Sequence, residues 1–262
     1  MTLHDQYARL TPFELAFPEP DRLEPLAREI ADEAAGRGVD HTEPHAFLTL
    51  GSVAAFVREL RSPQASPEAV RQYATLVFHA VRFHEGGRRL YVLATAAARH
   101  LVEGAPDGEA AAPAAAGYLQ LPQHLFWFQE PGDEVAPESI DGMFWAISEE
   151  GMLHVLAITG VRPDRPGFGA LPLPEAPVSD ASVWIHADAR EGSEDFASAL
   201  PGQELDRLYS VETAGELLKL LARFFAYLDA VPHASHAASA AAEAADGPPP
   251  SALGFTRVGL VA

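Results

Sequence analysis

The residue pattern predicts an α+β fold: a helical N-terminal half, a mainly antiparallel β-sheet in the middle, and a C-terminal helix packed on that sheet. Three observations predict it. Up to residue 102 the apolar residues recur largely at helical spacing. Between Gly117 and Gly160, short aromatic and aliphatic runs alternate with segments rich in Pro, Gly and Glu, as in strands joined by turns. Near the C-terminal end, Leu217, Leu218, Leu221, Phe224, Phe225 and Leu228 form the broad apolar stripe of a helix that covers a core.

Taken in order, residues 1–20 carry Pro12, Pro18 and Pro20 and read as irregular. A helix is expected from Asp21, with Glu24 placed for a capping box and Gly36 and Gly38 ending it. A second covers 50–60, with Val53, Phe56, Val57 and Leu60 on one face. Ser66 caps a third, with Pro67 in its first turn and Val70, Tyr73, Val77 and Val81 on its apolar face. After the turn at Glu85-Gly86-Gly87, an alanine-rich fourth helix is expected from Arg88 to about Val102. Strands are expected at 117–121, 125–129, 142–148 and 152–159, with SVWIHA (182–187) as one more and 160–181 as a loop. The last helix starts near Thr213, where Glu216 completes a second capping box, and Pro232 stops it. The chain thus divides into a helical region (1–103), a linker (104–116), a β-sheet region with its C-terminal helix (117–230) and a flexible low-complexity tail (231–262).

Strand alternation assigns the aromatic residues to faces. In DGMFWAIS, Met143, Trp145 and Ile147 share one face and Phe144 takes the other. MLHVLAIT is apolar at nearly every position, which suits a central strand covered on both faces. If the strands of Trp127 and Trp145 are neighbours, both indoles are expected to be buried. The alternative is an aromatic-lined groove that takes an extended peptide, for which Trp127, Phe144, Trp145, Arg162 and Arg165 are the candidate binding residues.

Composition narrows the function classes. The 262 residues hold 18 Lys and Arg against 37 Asp and Glu, a net charge of −19. Such a field repels phosphate backbones, so nucleic acid is an unexpected partner and a basic protein or peptide an expected one. There is no cysteine, hence no disulfide framework, thiolate nucleophile or sulfur-ligated metal. No basic segment followed by an apolar core opens the chain, and no apolar run is long enough to span a bilayer. A cytoplasmic protein without membrane association is expected.

Motifs for chemistry are sparse. GxSxG, GxxxxGK[ST], GxGxxG and HExxH are all absent. His124, His154 and His186, with Asp188 close behind, fall in the sheet half and form the one candidate for a metal-binding or enzymatic site, although their spacing matches no ligand motif. Arg82, Arg88 and Arg89 flank one turn, and Arg162 and Arg165 lie in VRPDRPG; either group suits anion binding or ion pairing within an acidic chain. No catalytic residue, metal ligand or cofactor is assigned, and a non-enzymatic binding protein is expected.

Leu119-Gln120-Leu121-Pro122, the aromatic strand after it, Gly142-Met143-Phe144-Trp145-Ala146-Ile147 and the apolar strand holding His154 resemble the central region of a type V-A anti-CRISPR family. Phe47 to Leu60 and the helix pair ending in Arg88-Arg89-Leu90-Tyr91 follow a similar order. The resemblance covers 45–160 and, more weakly, 213–230. It implies an α+β protein that recognises the N-terminal peptide of the nascent type V effector nuclease and causes loss of its transcript. The family also has plasmid and phage relatives of unknown target, so an interaction protein with no defence role is the alternative. Those relatives tend to end in a basic tail rich in His, Trp and Arg. Here the segment from His233 holds only Arg257 as a basic residue, so the nucleic-acid half of the implied function is not expected to carry over.

Overall fold

The computed structural model describes residues 7–60, 67–104, 109–128, 137–160, 168–185, 211–238 and 250–261. These residues form an α+β fold around a mixed nine-stranded sheet. The helices are α1 (Pro12–Ala16), α2 (Leu23–Arg37), α3 (Pro44–Phe47), α4 (Gly51–Leu60), α5 (Pro67–Glu85), α6 (Thr95–Glu103), α7 (Ala181–Trp184) and α8 (Val211–Ala230). The strands are β1 (Leu90–Leu93), β2 (Ala116–Gln120), β3 (Trp127–Phe128), β4 (Glu138–Ile147), β5 (Met152–Thr159), β6 (Gly169–Pro172), β7 (Ala176–Pro177), β8 (Ser235–Ala238) and β9 (Phe255–Val258). Across the sheet the order is β6-β5-β4-β2-β1-β9-β8, with β3 beside β4 and β7 beside β5. β1 runs parallel to β2 and β9, and the remaining pairs are antiparallel.

The sheet is covered on both faces, which explains why its central strands lack a polar side. Met143, Trp145, Leu153, Val155 and Ala157 pack with α6, α7 and α8. Phe144, Ala146, Leu156 and Ile158 pack on the opposite face with α2, α4 and α5. The alternation expected for β4 is therefore observed. Trp145 lies across Gly117, its partner on β2; a Cβ there would meet the indole at 2.3 Å, so only glycine fits. The Trp145 indole N–H donates to the Ala114 carbonyl at 3.0 Å. The stripe of α8 is core: Leu217, Leu218, Leu221, Phe224 and Phe225 are all buried.

Several local expectations are corrected. The helix expected from Arg88 opens as strand β1, and α6 starts only at Thr95. Leu90–Leu93 is fully buried between two parallel neighbours, so packing on both sides overrides the helical bias of the alanines that follow. The first region is accordingly not purely helical. In the 104–116 segment Ala110 is buried in the core, so that part is not a loose linker. Trp184 and Ile185 belong to a helical turn and its end rather than to a strand, while β6 and β7 lie in the expected loop. Asp21 does not cap α2: Arg22 holds the N-cap position without a side-chain bond. Gly38, at φ 64°, closes that helix as expected. Thr213 lies inside α8, which begins at Val211, so it is not the N-cap.

The tail expectation is corrected where the structure describes it. β8 and β9 belong to the sheet, and β9 sits between β8 and β1. Residues 239–249 lie outside the described residues. The N-terminal segment is also built in. Thr11 and Glu14 make a full capping box on α1, and Glu14 additionally accepts from Ser251 Oγ at 2.8 Å and Ala252 N–H at 2.7 Å. Nearby, the buried Arg9 guanidinium donates to Asp141 Oδ1 at 2.7 Å and to the Leu121 carbonyl at 2.9 Å, while Tyr118 donates to Asp141 Oδ2 at 2.6 Å. Burial, reinforced by the Asp141 charge, holds the Tyr118 hydroxyl well above its ordinary pKa.

Candidate functional site

The aromatic signal resolves into one exposed ring and a buried set. β3 is a two-residue strand paired with Glu138 and Ser139 of β4, beyond the stretch of β4 that pairs with β2. Its pleat sends Phe128 inward, 9% exposed, and Trp127 outward, 46% exposed. Among the described residues Trp127 is the one exposed large aromatic side chain. The His124 ring stacks on it at 4.9 Å with 16° between the planes. His124 has φ 64°, and its N–H donates to Ser139 Oγ at 3.0 Å. Left-handed backbone is uncommon for a residue with a Cβ, so a local hydrogen bond and a ring stack hold this turn in place. The expectation that both indoles are buried is corrected for Trp127 and holds for Trp145, 1% exposed.

The other candidate binding residues do not join Trp127. Phe144 and Trp145 are in the core on opposite faces of β4, so they line no open groove. Arg162 and Arg165 lie outside the described residues. Of the arginines flanking the α5–β1 turn, Arg82 pairs with Glu85 at 2.7 Å, and Arg88 donates to His84 Nδ1 at 3.2 Å. Arg89 is exposed.

The histidine candidates are separated. His124 is held at Ser139 and His154 pairs with Ala146, seven residues along β4, which is roughly 24 Å. That span rules out a site shared by the two. His186 and Asp188 lie outside the described residues. Among the described residues no group of three or more His, Cys, Asp or Glu side chains is arranged to hold a metal ion.

A different set gathers around His154, and linear sequence gave no sign of it. His154 is 4% exposed on the face of β5 that meets α5, edge-on to Phe78 at 6.0 Å. Its Nδ1 lies 3.2 Å from Glu175 Oε2, and its Nε2 lies 3.5 Å from Glu43 Oε2. Glu43 is the N-cap residue of α3, and its neighbour Thr42 accepts from the Glu149 N–H at 2.9 Å, which ties this loop to the β4–β5 turn. Glu175 immediately precedes β7, which pairs with the start of β5. His79 of α5, 3% exposed, adds a second buried imidazole. His154 Nε2, His79 Nδ1 and Glu43 Oε1 are all buried without a hydrogen-bond partner among the described residues. Burial pushes the His79 pKa down from 6.5 to about 3, helped by the nearby His154 and Arg82. Burial also lowers that of His154, against the opposing pull of Glu43 and Glu175. Residues 43, 79, 154 and 175 are far apart in sequence, so no spacing rule could have assembled them.

Among the described residues no helix is long and apolar enough to cross a membrane. No family model matches this chain, and no curated protein or solved structure matches it.

Proposed function

We propose that this is a cytoplasmic, non-enzymatic protein that binds a basic protein or peptide, in line with the resemblance to the type V-A anti-CRISPR family. The observation that carries the reading is the exposed Trp127, stacked on His124, on a chain of net charge −19; among the described residues no other large aromatic side chain is exposed. A wide aromatic face that stays in water gives a partner a large contact area at low entropic cost. The acidic field supplies attraction for a cationic partner and makes association faster at low salt. The contact surface differs from the one expected: it centres on Trp127 and excludes Phe144 and Trp145. A role in defence against type V effectors is the specific form of this reading, and an interaction protein with another target is its alternative.

The test uses the exposure difference among the three tryptophans. Trp145 and Trp184 are 1% and 2% exposed, so iodide should quench chiefly Trp127. Random peptides displayed and selected on the protein should be enriched in Arg and Lys, and the selected peptides should shield Trp127 from iodide. Trp127→Ala should keep the fold and lose the peptides. Selected peptides that bind Trp127→Ala equally well would sink the proposal.

A further inference from the structure

Strand register fixes where the backbone of Trp127 points. In an antiparallel ladder, residues that exchange hydrogen bonds with the partner strand alternate with residues that turn their N–H and C=O the other way. The Ile140 N–H of β4 donates to the Phe126 carbonyl at 3.0 Å, so the bonded positions are Phe126 with Ile140 and, two residues on, Phe128 with Glu138. Ser139 faces the opposite neighbour: its carbonyl accepts from the Gly160 N–H, just past β5, at 3.1 Å. Trp127 lies directly across from Ser139, so its own N–H and C=O point away from β4. Among the described residues β4 is the only strand that pairs with β3, which leaves Trp127 on an open edge. Edges are commonly blunted by charged residues or proline, and Trp127-Phe128 carries neither. The ring belongs to the same edge. It is 46% exposed, and the His124 stack and the His124 N–H bond to Ser139 Oγ hold the turn beside it. One residue thus offers a donor, an acceptor and a wide aromatic surface in a fixed relation. The charge along this stretch has one sign: from Trp127 to Ser139 the sequence holds Glu130, Asp133, Glu134 and Glu138 and no Lys or Arg.

We propose that β3 takes up an extended segment of a basic partner as an added antiparallel strand, paired through the Trp127 backbone. This rests on the peptide-binding reading above and gives it a geometry. The Trp127 N–H donates to the carbonyl of the partner residue opposite it, and the Trp127 C=O accepts from the N–H of that same residue. Directly opposed residues of such a pair lie about 5.5 Å apart at Cα with their side chains on one face, so an arginine there reaches the indole and lays its guanidinium against it. The two backbone bonds accept any sequence, and the ring together with the acidic surroundings selects the cation.

The test is amide hydrogen exchange by NMR on the unmodified protein, with the probe acetyl-Lys-Thr-Val-Arg-Val-Thr-Lys-amide. The peptide should slow exchange of the Trp127 N–H saturably and shield the indole from iodide. Two single-ester analogues then separate backbone pairing from side-chain contact. An ester in place of the arginine N–H removes the donor to the Trp127 C=O and should weaken binding by about tenfold. An ester in place of the next valine N–H alters a group that points away from β3 and should bind like the parent. Glutamate in place of the arginine should abolish binding. Equal behaviour of the two esters, or a Trp127 N–H that the peptide leaves unprotected, would overturn the proposal. Protection of that N–H that rises with protein concentration, without peptide, would give the edge to a second copy and overturn it too. If displayed peptides shield Trp127 while both esters match the parent, strand addition falls and the Trp127 platform stands. If no displayed peptide shields Trp127, both fall.

Discussion

Acid should destabilise this protein through His79, and the size of the effect follows from burial. The ring is 3% exposed and lies between Phe78, at 5.0 Å, and Phe144, at 6.4 Å. Desolvation, then the nearby His154 and Arg82, lowers its pKa from 6.5 to about 3. The folded pKa is the depressed one, so below pH 6.5 the unfolded chain takes up a proton that the native state refuses. The stability is complete above pH 6.5 and falls continuously until the native ring also protonates near pH 3. Each pH unit in that window costs about 1.4 kcal/mol, so going from pH 7.5 to pH 5.0 costs about 2 kcal/mol from this one ring. His79→Phe removes the titration and keeps an apolar ring in place. Urea unfolding of both proteins at the two pH values gives four free energies. The loss on acidification should be about 2 kcal/mol larger in the unmodified protein, whatever the variant does to stability at pH 7.5. An identical loss in both would refute the assignment of a neutral buried His79. His154 is shifted in the same direction and is present in both proteins.

Three further outcomes are expected. Glu33 accepts from Gly51 N–H, Ser52 N–H and Ser52 Oγ at the start of α4, and those bonds lower its pKa to about 2. Glu33→Gln should lower the thermal midpoint at neutral pH and flatten the acid limb between pH 4.5 and about pH 2, which thermal melts across that range would measure. Trp145→Ala should cost about 3–5 kcal/mol in urea unfolding, because it empties a large fully buried site and leaves the Ala114 carbonyl without its donor. Single-stranded RNA and duplex DNA should bind no tighter than roughly 10⁻⁴ M at physiological salt by fluorescence anisotropy, and micromolar binding with a steep salt slope would reverse the reading of the charge.

The parts of the fold that were legible in sequence are those set by local periodicity. β5 matches its expected bounds at Met152–Thr159, and α4 and α8 fall close to theirs, because a continuous apolar run or stripe fixes both element and burial. The errors fall where long-range pairing decides. LYVL becomes β1 only because β2 and β9 flank it, and residues 255–258 become a strand only because β1 receives them. The candidate site shows the same division. Trp127 was singled out, but its exposure depends on β3 being a two-residue strand with one ring turned outward, a detail the run LFWF does not specify. The Glu43–His154–Glu175 arrangement was invisible, since its members come from three elements and each alone looks like a solvated or core residue.

The placement of β9 also shapes how the molecule is assembled. Leu90 pairs with Phe255, so the strand contact next to the edge pair β9–β8 closes a loop of 255 − 90 = 165 residues. Long-range parallel pairing is slow, because the chain must give up loop entropy before the contact returns any energy. Until residues 255–258 arrive, one side of LYVL is an apolar strand edge with open hydrogen-bonding groups. Such an edge recruits other chains. An assembling molecule is thus most prone to self-association while β1 waits for β9, and any partner or chaperone that shields that edge would raise the yield of folded protein without touching its final stability.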